Sequence, residues 1–138
     1  MTFLFNALKF AVAWLVGIFF SVSITMIGCC VFCALPILKD LEPYSDCIDV
    51  KKARRSYICS IILHAVILAC VSWAVSTFAP TMMKYGFFLS FAFTALAGCS
   101  RWGKNEQNVS EVVNKLQKYV LPGKDDEVFQ ALVKVLYR

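Results

Sequence analysis

The chain has 138 residues, 59% of them hydrophobic and only 17% charged, with a mean hydropathy of +0.67. A soluble domain carries about a quarter charged residues, so this composition lacks the polar surface that a freely soluble fold needs. The net charge of +5 is not laid out as a nucleic-acid-binding stripe. Lys51, Lys52, Arg54 and Arg55 instead stand together just before an apolar run, as a juxtamembrane anchor for anionic lipid headgroups would.

The apolar residues come in blocks. No Asp, Glu, Lys or Arg occurs from Phe10 to Leu38, from Tyr57 to Met83, or from Tyr85 to Ser100. A helix crosses a bilayer with about 20 predominantly apolar residues. The expected fold is therefore all-α, a polytopic membrane protein with three transmembrane helices and a short amphipathic helical C-terminal tail. The spans are placed at about 10–35, 57–78 and 81–100, with a cytosolic loop at 39–56. Residues 1–100 form the membrane domain and residues 101–138 the cytosolic tail.

The first run is too long for the h-region of a cleavable signal peptide and ends in no A-x-A-like site. It also exceeds one crossing, and either tilt or a helix end at Pro36 absorbs the excess. Gly17, Ser21 and Thr25 recur every four residues along it. Cys29, Cys30 and Cys33 follow. Cys30-x-x-Cys33 has no second ligand pair elsewhere to complete a zinc site, so these thiols read as small apolar side chains.

The loop that follows, "KDLEPYSDCIDVKKARRS", is acidic first and basic second. Its acids read as a solvated face, and Cys47 reads as the thiol most open to reaction. In the second span the lone His64 has no ionisable partner at membrane depth, which suits a hydrogen bond to a neighbouring helix better than a proton relay.

The third span carries the clearest stripe. Gly86, Ser90, Thr94 and Gly98 recur every four residues, and such small residues let membrane helices pack closely, within one chain or between copies. Leu96-Ala97-Gly98-Cys99 resembles the lipobox of a bacterial lipoprotein. The resemblance implies lipidation at Cys99 on a product cleaved there or initiated near Met83, and it requires Cys99 outside the membrane. The charges oppose that. The first loop is basic, and Arg101 and Lys104 form a basic foot to the third span, so the positive-inside rule puts both in the cytosol. The expected location is a bacterial inner membrane, with the N-terminus outside and the C-terminus in the cytosol.

In the tail, Ser110 is expected to cap a helix reaching about Leu121, with Val109, Val112, Val113, Leu116 and Val120 on one face. Pro122-Gly123 ends it, and Asp125, Asp126 and Glu127 open a second, very apolar helix. Two such helices bury too little alone, so the tail is expected to pack on the membrane surface, a second copy or another protein. No nucleophile, metal-binding or phosphate-binding motif is present, so neither catalysis nor a cofactor is expected. These features fit a small membrane protein acting through protein contacts, as an accessory subunit of a membrane complex or an exclusion- or immunity-type inhibitor. The alternatives are a holin-like oligomeric pore former and the lipidated tail. The expected partners are anionic lipid and other membrane subunits or the chain itself.

Overall fold

The computed structural model describes residues 1–137. It is all-helical, 86% helix with no strand among the described residues, and three of its helices are long and apolar enough to cross a membrane. The elements are α1 (Thr2–Cys29), α2 (Leu35–Asp40), α3 (Val50–Phe78), α4 (Thr81–Gly98), α5 (Glu106–Leu116) and α6 (Asp125–Leu136).

Helix bounds differ from the sequence expectation where local chemistry extends or shortens them. α1 starts at Thr2 and does not stop at Pro36; it continues through a π-helical turn, Cys30–Ala34, into α2. Leu35 donates its N–H to the Cys30 carbonyl, five residues back, and Pro36 then falls in the first turn of α2, where its missing N–H costs little. α3 begins at Val50, so the basic cluster lies on the helix and not in the loop. Asp49 starts it by accepting the Lys52 N–H at 3.0 Å. In the tail the cap is Asn105, not Ser110: its side chain accepts the Asn108 N–H at 2.8 Å, so α5 begins and ends earlier than expected. The Leu121–Lys124 turn closes with the Lys124 N–H on the Leu121 carbonyl at 3.2 Å. Gly123 takes φ +79 there, which a side chain would resist.

The chain divides into two compact units. One joins Met1–Ile27 to Ile62–Arg101; the other joins Gly28–Ile61 to the residues from Trp102 onward. The first unit has the residue distribution of a soluble protein reversed. Many of its large apolar side chains, among them Leu4, Phe19, Trp73, Phe93 and Leu96, are exposed, while Ala13, Gly17, Ser21, Gly86 and Ser90 are buried together with Phe87. Large apolar surfaces left open in this way mark membrane or partner contact. On α3, the half-buried residues His64, Leu68, Val71, Ser72 and Val75 share one face.

The second unit has the ordinary distribution, apolar inside and charged outside. Ile37, Leu38 and Leu41 at and just beyond α2, Ile48 of the first loop, Ala53 of α3 and Leu116 of α5 are each at most 1% exposed. Val128, Ala131 and Leu132 of α6 close the same core.

Candidate functional site

The second unit is built by stitching the first loop to the tail. Ile48 and Val120 form an isolated antiparallel bridge. Beside it, Asp49 donates its N–H to the Tyr119 carbonyl at 2.9 Å, and Leu121 donates to the Cys47 carbonyl at 3.0 Å. The tail does not lack a core, as its length alone suggested; it shares one with the end of the first apolar run and with the first loop. The last turns of that run supply Cys30, Cys33, Ala34, Ile37 and Leu38 to this core.

Side chains strengthen the seam. The Cys47 thiol donates to Glu127 Oε2 at 3.1 Å, and Lys124 Nζ stands 2.9 Å from Glu127 Oε1. The bond from Cys47, and next the Lys124 ammonium, hold the Glu127 carboxyl below its ordinary range. The same pairing raises the Cys47 thiol and the Lys124 ammonium. Cys47 is thus a buried, hydrogen-bonded thiol and not the reactive one expected from its place in a loop.

The acids of the first loop are likewise not a free solvated face. Glu42 pairs with Arg54, Asp40 with Lys104 at 3.6 Å, and Asp49 caps α3. Glu42, Ser45, Asp49, Lys51 and Arg54 line a half-open cleft of about 440 Å³ beside Leu121. Of the basic residues expected to form a lipid anchor, Lys51, Lys52, Arg55, Arg101 and Lys104 are exposed and Arg54 is half-buried. Tyr57 Oη and Trp102 Nε1 are buried with no hydrogen-bond partner, the Trp102 ring stacking on Phe32 at 6.0 Å.

In the first unit the two small-residue stripes meet each other. A methyl group on Gly17 would stand 2.7 Å from the Phe87 carbonyl oxygen and run into the Ser90 hydroxyl. One on Gly86 would stand 2.7 Å from the Phe10 carbonyl oxygen. Phe20 and Phe87 flank the seam with ring centroids 6.5 Å apart. The hydroxyls bond within their own helices. Ser21 donates to the Ile18 carbonyl at 2.6 Å, Ser90 to that of Phe87 at 3.0 Å, Thr25 to that of Ser21 at 3.4 Å, and Thr94 to that of Ser90. They act at the seam by being small. Thr25, Thr94 and Gly98 are only half-buried. Cys99 is exposed, in a 3₁₀ turn, with its thiol on the Ala95 carbonyl at 3.3 Å.

Sequence reasoning missed the clamp of Cys47, Lys124 and Glu127. Asp125, Asp126 and Glu127 read as a helix-dipole motif, and nothing local distinguishes Glu127 from its two neighbours. The burial of Ile37 and Leu38 did leave a signal, an uncharged run longer than one crossing would need. Among the described residues no three His, Cys, Asp or Glu side chains come together to hold a metal. No protein family, curated protein or solved structure matches this chain, so its function is read from its own geometry.

Proposed function

We propose that this chain is a three-span integral membrane protein of a bacterial inner membrane that acts through protein contacts and performs no catalysis. The observation that supports this most is the core shared by the first loop and the tail. A bilayer cannot divide one hydrophobic core, so both segments lie on the same side, which agrees with the two spans, an even number, that separate the first loop from the tail. These segments hold Lys39, Lys51, Lys52, Arg54 and Arg55 on one hand and Arg101, Lys104, Lys115 and Lys118 on the other. The positive-inside rule then places the module in the cytosol and the N-terminus outside. The first crossing runs from about Phe10 to Ile27, and the chain enters the module at Gly28.

A small membrane anchor bearing a folded cytosolic module suits an accessory subunit or an exclusion- or immunity-type inhibitor, which works by occupying a partner. Its surface offers a charged cleft for contact. The test is a reporter fused after Arg138 in intact cells, together with crosslinking of the full chain in its membrane. Cytosolic fluorescence and a specific crosslinked partner are expected. Alkaline phosphatase activity at that fusion would overturn the topology. Growth arrest with dye entry on overexpression would mark a pore former instead.

A further inference from the structure

We propose that the half-open cleft at the start of α3 is where the module grips its protein partner. It receives an acidic side chain and an aliphatic neighbour from an extended segment, and the partner's carboxylate replaces Glu42 on Arg54. This names the partner chemistry for the protein-contact reading above and rests on it. Every residue of the lining belongs to the second unit. Ile48, Val50 and Leu121 give the cleft an apolar side, and Ser45, Lys51 and Arg54 give it a side rich in donors. Its volume of about 440 Å³ holds a few side chains and no folded domain.

The charges select the sign of the partner. Lys51 and Arg54 stand about one turn apart on α3, so they share a flank of the helix. Among the described residues Lys51 enters no ion pair, and Arg54 uses a single nitrogen, Nη2, on a single oxygen of Glu42. A guanidinium presents a fork of N–H donors that matches both oxygens of one carboxylate, so Arg54 has donors left to offer. The acids of the lining are engaged within the fold. Asp49 Oδ1 accepts the Lys52 N–H, and Glu42 holds Arg54. Both side chains of the Glu42–Arg54 pair are open to solvent, and such pairs are weak. An incoming carboxylate therefore exchanges with Glu42 at little loss. Outside the lining, Lys52 and Arg55 are exposed on the same turns. Asp40 is paired with Lys104, so Asp46 is the acid of the loop left to offset them. The excess of positive charge steers an acidic segment toward the cleft. A Glu or Asp beside Leu, Ile or Val fills the charged and apolar sides together, whereas a phosphate headgroup fills only the charged one.

The test passes the full chain, labelled and in detergent, over immobilised short peptides of Gly and Ser carrying one Glu and one Leu at varied spacing. Matched sets replace Glu by Gln or by Lys. Retention on the Glu set above both others is expected. Arg54→Ala should weaken it by about tenfold or more, Arg54→Lys by less, and Arg55→Ala, outside the lining, hardly at all. Glu42→Gln should strengthen it severalfold, and it tests the exchange even if Arg54→Ala does not fold. Equal retention on all three sets, or equal loss in Arg54→Ala and Arg55→Ala, would overturn the cleft as the site. Unchanged or weaker retention of Glu42→Gln would overturn the exchange. Elution of the bound chain by glycerol phosphate at a lower concentration than by free Glu peptide would overturn the acidic segment in favour of a lipid headgroup. Crosslinking the full chain in its own membrane separates the two readings. A specific crosslinked partner without any Glu preference on the peptides would overturn the cleft assignment alone. No crosslinked partner and no Glu preference would overturn the protein-contact reading with it.

Discussion

Cys47 and Glu127 are joined by a thiol-to-carboxylate hydrogen bond of 3.1 Å across a sequence separation of 80 residues. With Lys124 Nζ within hydrogen-bond distance of both carboxylate oxygens, this contact closes the first loop onto the tail and shifts the ionisation of the groups around it.

The clamp makes the module acid-sensitive. Glu127 sits below its ordinary value of 4.5, first because Cys47 donates to it and then because Lys124 faces it. A depressed carboxyl stabilises the fold fully above its unfolded value, and that contribution is lost as pH falls through the lower folded value. Thermal unfolding in detergent should be level between about pH 7 and pH 5 and fall below that, with a shallower acid slope in Glu127→Gln. An unchanged slope in the variant would assign the acid sensitivity elsewhere.

Thiol reactivity should follow the same contact. Cys47 is buried and its thiol is raised by Glu127, and the thiolate is the reacting form. In folded protein, maleimide should modify Cys47 severalfold more slowly than in urea, and Glu127→Ala should speed the reaction. Equal rates in the folded and unfolded states would show that the seam is open.

Gly17 should not tolerate a side chain. A methyl group there meets the Phe87 carbonyl at 2.7 Å as well as the Ser90 hydroxyl, and backbone cannot give way as a flexible side chain would. Gly17→Ala should destabilise the packed helices by about 1–3 kcal/mol, read as a lower unfolding midpoint in mixed detergent. Gly103→Ala, with nothing within 4 Å of the added carbon, is the control.

The shared core predicts that a tail residue matters to the first loop. Leu116 is fully buried, and truncating it should cost about 2–5 kcal/mol. Limited proteolysis of Leu116→Ala should then cut within 39–56, a segment more than 50 residues away in sequence. Cleavage confined to the tail would argue against one core.

The Arg54–Glu42 pair should contribute little. Its side chains are 40% and 53% exposed, and such pairs are worth about 0–1 kcal/mol. Glu42→Gln should leave the unfolding midpoint nearly unchanged, and a large loss would mean that the cleft holds more than this pair.

Some of this was legible in the residues. Uncharged runs long enough to cross a bilayer are a property of composition, so the three long helices follow from it directly. The four-residue spacing of Gly86, Ser90, Thr94 and Gly98 is likewise visible in the sequence, because a helix places every fourth residue on one flank. The caps were harder to place. Ser110 and Asn105 are both competent N-caps, and the choice between them turns on where the chain enters the helix.

What the sequence determined by itself is the list of parts: three apolar helices, a basic cluster beside the second of them and two amphipathic tail helices, each set by local composition and periodicity. What only the tertiary structure decided is which parts join. That the end of the first apolar run packs with the first loop and the tail depends on Ile37, Leu38, Ile48 and Leu116 meeting in space. So does the capture of Cys47 by Glu127. These contacts join residues tens of positions apart, and burial against a distant partner leaves no local periodicity by which to find it.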